Sequence, residues 1–161
     1  MITSNRLREV FDYSHDTGLF TRKIDSGKRW KAGQQAGSIH RHNGYVVIGI
    51  DGYNYFAHRL VWLYVYDQFP DLDIDHIDGD KTNNKLSNLR CVSKSTNLQN
   101  QKKSQKGSFS GLLGAYPSGK RWRALIAIDH KTICIGSFAT KEEAHQAYLT
   151  KKRLIHEGNT L

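Results

Sequence analysis

Apolar positions Leu7, Val10 and Phe11 recur at helical spacing behind two cap residues, Thr3 and Ser4, and predict a short helix over residues 4–12. Asp16-Thr17-Gly18 reads as a turn into a short strand, Leu19–Lys23, and residues 25–37 read as a Gly- and Lys-rich loop. Two β-rich runs, Gly44–Ile50 and Tyr53–Ala57, are split by Asp51-Gly52, a dipeptide that supplies the positive φ angles of a tight hairpin. Leu60, Val61, Trp62, Leu63 and Tyr64 are too continuously apolar for one exposed face, so a buried helix is expected over 58–66, ended by Phe69-Pro70. Residues 73–76 and 89–92 read as short strands around a turn-rich stretch, and 93–101 as a helix with Ser93 as its cap.

Beyond a polar stretch at 102–110, the pattern changes to three strand candidates, 113–116, 121–128 and 132–138, with turns at Pro117-Ser118-Gly119 and Asp129-His130. Thr140 and Glu143 have the spacing of a capping box. The helix that follows, about 141–156, is expected to turn Ala144, Ala147, Tyr148, Leu154 and Ile155 toward the sheet. The predicted class is therefore α+β: an N-terminal unit with a hairpin, a helix and a ββα element, then a small three-stranded antiparallel sheet plus helix domain.

Charge sharpens this picture. The 161 residues carry 24 Lys and Arg against 15 Asp and Glu, a formal net charge of +9, which favours a polyanionic partner. The bases cluster at 22–31 and 94–131, each stretch holding a single acid. Between them lies an acidic island of Asp67, Asp71, Asp73, Asp75, Asp78 and Asp80. Such an island repels a nucleic-acid backbone unless a divalent cation bridges carboxylate and phosphate. Cys91 and Cys134 have no CxxC partner, so neither a disulfide framework nor a cysteine zinc site is expected, and both read as small apolar strand residues. The longest apolar run, Leu60–Tyr66, is too short to span a bilayer, and the N-terminus lacks a signal-peptide core.

The densest chemistry is at 74–97. Asp75 offers the hard oxygen that magnesium or manganese prefers, and Asn97 can add a second oxygen. Adjacent strand residues leave opposite faces, so Asp75 and His76 share a cavity only if the strand bends. His76 is the candidate general base, since imidazole accepts protons near neutral pH. Asn88 is expected to fix the imidazole or to pin the loop that carries it. Taken singly, a histidine in a turn-rich segment is ordinary polar surface and an asparagine is a cap or turn former; the joint pattern carries the signal. His58 reads as a helix anchor in the core rather than a catalytic group, and Asp78 and Asp80 as shapers of the turn.

Asp75-His76-Ile77-Asp78-Gly79-Asp80-Lys81-Thr82-Asn83-Asn84, with Ser87-Asn88-Leu89-Arg90 and Asn97, resembles the HNH endonuclease family of ββα-metal nucleases. Gly44-Tyr45, His58-Arg59-Leu60-Val61-Trp62 and Phe69-Pro70 look like the lead-in of phage and intron-encoded homing members. The resemblance implies a nuclease domain over 1–101 with its ββα-metal core at about 72–101, His76 as base, Asn88 as the middle asparagine, and Asp75 and Asn97 as metal ligands. It implies one divalent ion, Mg2+ or Mn2+, and no structural zinc. Residues 111–161 resemble the apetala/ethylene-response-factor DNA-binding domain through Lys120-Arg121-Trp122-Arg123-Ala124, Ile135-Gly136-Ser137-Phe138 and Thr140-Lys141-Glu142-Glu143-Ala144. There Arg121 and Arg123, on one face with Trp122 on the other, are the expected DNA contacts, supported by Lys120 and Lys131 and by Lys102, Lys103 and Lys106 of the basic linker 102–110. The expectation is a DNA endonuclease, monomer or homodimer, that acts on double-stranded DNA in the cytoplasm of a bacterial or phage-infected cell and touches no membrane. The alternative is a non-catalytic DNA-binding regulator on a degenerate HNH scaffold.

Overall fold

The helix α1, Ser4–Val10, opens the chain in a computed structural model that describes residues 2–101, 104, 107–128 and 131–156. The Thr3 hydroxyl accepts from the Arg6 N–H at its start, and the helix buries Leu7 and Val10. It ends two residues before the predicted stop. Phe11 leaves the helix as its C-cap and begins β1, Phe11–Tyr13, whose alternating burial puts Phe11 and Tyr13 inside. A period of two thus overrides the helical spacing that Phe11 also satisfies. β1 pairs with β2, Phe20–Arg22, and β2 with β3, Gln35–Ala36, inside what reads as loop.

A second sheet holds β4, Ser38–Ile39, β5, Val46–Ile50, and β6, Tyr53–Phe56. The β5–β6 turn has Asp51 at φ 49° and Gly52 at φ 85°, as the Asp-Gly signature requires. Helix α2, Ala57–Tyr66, follows directly and buries Ala57, His58, Leu60, Val61 and Leu63. It stops at Asp67, which takes the left-handed conformation. β7, Asp73–His76, pairs antiparallel with β8, Leu89–Val92, at the predicted positions, and a single 3-10 turn, Leu86–Asn88, leads into β8. Apolar side chains from α1, the first two sheets, α2 and this hairpin merge into one core.

The chain divides into two compact units, Met1–Lys94 and Ser95–Leu161. Helix α3, Lys94–Gln99, begins at the last residue of the first and runs into the second. The second unit holds β9, Ala115–Ser118, β10, Arg121–Ile128, β11, Lys131–Phe138, and α4, Lys141–Ile155, with β10 in the middle of the sheet. The expected turn at Pro117-Ser118-Gly119 lies later: Pro117 and Ser118 belong to β9, an edge strand where a missing N–H is tolerated. The capping box of Thr140 and Glu143 forms as predicted. Ala144, Ala147, Tyr148 and Trp122 pack with Ala115 and Ala124. Leu154 does not join them and stands 76% exposed. Lys152 is the residue buried in that turn of α4, its ammonium bonded to the Gln101 carbonyl. Cys91 packs against the first core as expected, whereas Cys134 is exposed on β11. Among the described residues no helix is long and apolar enough to cross a membrane.

Candidate active site

Asp75 and His76 end β7, and both are buried, at 6% and 4% exposure, despite leaving opposite sides of the strand. Antiparallel register sets Asp75 opposite Arg90 and His76 opposite Leu89. The Arg90 Nε and one terminal nitrogen both donate to Oδ2 of Asp75, at 2.9 and 2.7 Å. Arg90 thereby holds the carboxylate from the neighbouring strand.

The loop from 77 to 88 is shaped by polar bonds instead of cysteines. The Asp78 backbone N–H donates to Oδ1 of Asn88 at 3.0 Å. The Asn88 Nδ2 donates to Oδ1 of Asp78 and to the Asn83 carbonyl, each at 2.9 Å. Asn83 Nδ2 donates to the other Asp78 oxygen at 2.6 Å. Burial would raise the Asp78 pKa, but the hydrogen bonds from Asn83, the Asp80 N–H and Asn88 outweigh it and hold the pKa below its ordinary value. Asp80 accepts from the N–H and the hydroxyl of Thr82. Of the two roles open to Asn88, the structure supports the loop pin, and Asp78 and Asp80 shape the turn.

Contact with the imidazole falls to Asn84, whose Oδ1 lies 3.3 Å from His76 Nε2. Asn84 Nδ2 donates to the Thr82 carbonyl at 3.0 Å, which fixes the amide so that its oxygen faces His76. The amide oxygen thereby orients the ring through Nε2. Asn84 is itself held: its carbonyl accepts from the Tyr13 hydroxyl, which in turn accepts from the Leu86 N–H.

Aromatic rings wall the base. The His58 ring, at the start of α2, stands edge-on to His76 at 5.3 Å, and Tyr45 lies 4.9 Å from His58 and 5.8 Å from His76. Phe56 stacks on His58 at 5.5 Å. Burial, then the His76 and Arg59 charges, push the His58 pKa down to about 3, so His58 is neutral. Its Nδ1 is buried with no hydrogen-bond partner. Burial also lowers the His76 pKa, against the opposing pull of Asn84, Asp78, Asp75 and Asp80. The Tyr45 hydroxyl is raised by burial and then by the Asp75 and Asp73 charges. Lys81 sits 4.6 Å from the Tyr45 ring centroid and donates to the Asn43 carbonyl.

A buried carboxylate beside a neutral imidazole suits a hard divalent ion and a general base. Among the described residues no three His, Cys, Asp or Glu side chains converge on one metal position. Asn97 lies on α3, in the second unit. Sequence reasoning singled out Asp75 and His76 but did not place Tyr45 and His58 on the wall or Asn84 on the imidazole. These partners come together through tertiary packing, which no local spacing encodes.

In the second unit Arg121 and Arg123 are exposed on one face of β10, and Trp122 packs on the other. Arg121 donates to both Oγ and the carbonyl of Ser137. Arg123 pairs in register with Tyr116 on one side and Ser137 on the other. Lys120 and Lys131 are exposed, and Lys102, Lys103 and Lys106 lie outside the described residues.

Residues 55–99 match the model of the HNH endonuclease family. That stretch takes in His58, β7, the asparagine-pinned loop, β8 and α3. None of the curated proteins matches the chain. A solved structure described as "DNA binding and cleavage by the HNH homing endonuclease I-HmuI" is similar over 92% of this chain and 88% of that one, with 23% identity and a TM-score of 0.44.

Proposed function

We propose that the chain is a metal-dependent DNA endonuclease of the HNH type, with a nuclease domain over 1–101 joined by a basic linker to a DNA-reading domain over 111–161, acting in the cytoplasm of a bacterial or phage-infected cell. The observation that carries this reading is the setting of His76: buried, with its pKa lowered by that burial and its Nε2 3.3 Å from Asn84 Oδ1. A base must be unprotonated and aimed before its substrate arrives. His76 then takes the proton of a water attacking phosphorus, the bond from phosphorus to the leaving sugar oxygen breaks and that oxygen takes a proton from solvent, and the Asn84 contact steadies the imidazolium that forms. Tyr45 and His58 keep bulk water from the ring. Asp75, with Asn97 as second oxygen donor, would hold one Mg2+ or Mn2+, which supplies charge neutralisation at the phosphate when bound. Arg123 and Arg121 would bind double-stranded DNA through guanine edges and phosphates.

One observation favours a second reading, a DNA-binding regulator without catalysis: Arg90 already pairs with the carboxylate the ion would need. Supercoiled plasmid separates the two. Nicking with Mg2+ or Mn2+ that chelator stops, and that His76→Ala abolishes while DNA retention in a gel persists, is the expected result. Absence of nicking with either ion would establish the regulator instead.

A further inference from the structure

Arg22 is out of keeping with the rest of the surface charge. Its side chain is buried, at 8% exposure, yet among the described residues its Nε has no hydrogen-bond partner. What surrounds the guanidinium is aromatic: its carbon lies 5.2 Å from the Phe11 ring centroid and 5.0 Å from that of Trp30. Buried charges in proteins are paired, because an isolated one forfeits its hydration. Desolvation here works against the cation and lowers its pKa. An arginine held on aromatic faces, with its Nε unanswered, is suited to receive an acceptor.

Arg22 lines a cleft of about 100 Å³ between α1, β2 and the β5–β6 hairpin, together with Arg6, Asp25, Ser26, Gly49 and Asp51. That space admits a small oxyanion such as a phosphate group. The two carboxylates on its wall are already satisfied. Both oxygens of Asp51 accept from Arg6, while Asp25 accepts from Lys31 and from the Ala32 N–H. Among the described residues no carboxylate pairs with Arg22. The loop beside it adds exposed Lys28 and Arg29, the latter 4.9 Å from the Trp30 ring, and Trp30 is itself 41% exposed.

We propose that the Arg22 cleft is a binding site for a single phosphate group, and that the group it takes is a backbone phosphate of DNA running over the 28–31 loop. The guanidinium fork donates to two phosphate oxygens, Ser26 supplies a hydroxyl, and Arg29 with Lys28 contacts the neighbouring phosphates. The DNA arm rests on the nuclease reading; the cleft itself does not. The site lies in the first unit, apart from the arginines of β10, and lets the nuclease unit grip DNA in its own right.

The test uses the full chain in two arms. In the first, thermal melting is followed with inorganic phosphate against sodium chloride at equal ionic strength. Phosphate should raise the melting temperature of the wild type and leave that of Arg22→Met unmoved. In the second, duplex DNA affinity is measured against salt. Arg22→Met should weaken binding severalfold and flatten the slope of log K on log salt by about 0.9, the value of one lost phosphate contact. Arg8→Met, which removes an arginine paired with Asp67 instead, should leave that slope unchanged. Should Arg22→Met not fold, Arg22→Lys keeps the charge and loses the fork, so the slope should persist while affinity falls.

A response to phosphate with an unaltered DNA slope keeps the site and assigns it to free phosphate. A chain that binds no DNA but responds to phosphate through Arg22 sinks the nuclease reading and not the cleft. Normal DNA binding with wild-type slope and no Arg22-dependent phosphate response overturns the site and leaves the nuclease reading standing.

Discussion

His58 makes the first unit acid-sensitive in a window where carboxylates are still silent. Its folded pKa is about 3 against an ordinary 6.5, because the ring is buried among Tyr45, Phe56 and His76. A histidine depressed in this way favours its neutral form in the fold, so the unfolded chain binds the extra proton and stability falls as pH drops below 6.5. At pH 7.5 both states are neutral. At pH 5.0 the unfolded imidazole is almost wholly protonated and the folded one is not, a difference of about 1.5 logarithmic units, or about 2 kcal/mol. The full limit, about 5 kcal/mol, is reached only below pH 3. His76 is lowered in the same direction and adds to the slope. Asp25, Asp51, Asp67 and Asp78 are depressed carboxylates, whose contribution is lost only as pH falls below their ordinary 3.8. His58→Phe keeps a ring against Phe56 and removes the titration. Urea unfolding by tryptophan fluorescence at pH 7.5 and 5.0, in a Trp122→Phe background so that the first unit reports, measures both proteins. The wild type should lose about 2 kcal/mol more than His58→Phe between the two pH values. Equal losses would mean that His58 is hydrated and free to protonate in the fold, and the wall around His76 would go with it.

Three further outcomes follow from the site and the folds that hold it. Asn84→Ala removes the amide oxygen that contacts the His76 ring, worth about 1.4 kcal/mol, and should slow plasmid nicking about tenfold with DNA affinity unchanged; nicking within twofold of wild type would remove Asn84 from the mechanism. Gly18 has φ +74°, and a Cβ there would stand 2.4 Å from the Lys85 nitrogen and 2.6 Å from the Asn84 carbonyl carbon. Gly18→Ala must therefore shift the backbone that carries Asn84, lowering first-unit stability by about 2 kcal/mol or more in urea and nicking with it; an unchanged midpoint would refute the close approach. Arg123→Ala should flatten the salt dependence of DNA binding by about 0.9, whereas Arg121→Ala also loses two bonds to Ser137 and should loosen the small sheet by about 1 kcal/mol; slopes equal to wild type for both would take β10 off the DNA.

The elements legible in the sequence are those specified locally. Asp51-Gly52 demanded its hairpin, Thr140 with Glu143 its capping box, and the two strands around the Asp78–Asn88 turn fell where their β-rich runs lie. Misreadings arose where one residue satisfied two periods or where pairing was distant. Phe11 suits a helix at i+4 from Leu7, yet β1 claims it through Arg22, eleven residues on. Leu154 suits an apolar helix face, but Lys152 takes the buried place because its long stem reaches the Gln101 carbonyl. The pair Asp75-His76 was visible because adjacent chemistry is rare in a turn-rich stretch. The division of labour between Asn84 and Asn88 was not, because both sit on the same loop and only the closed hydrogen-bond network tells which reaches the imidazole.

The acidic island resolves into groups of different kinds once each carboxylate is followed to its partners. Asp67 closes an ion pair with Arg8, Asp78 is consumed by Asn83, Asn88 and the Asp80 N–H, and Asp80 by Thr82. These charges are answered by the fold and have little left for an ion. Asp75 is held by its cross-strand partner Arg90, which the β7–β8 register fixes and whose Nε and one terminal nitrogen both reach Oδ2. Despite that pair, the negative charges of Asp75 and Asp73 still reach the Tyr45 hydroxyl and raise its pKa beyond what burial does.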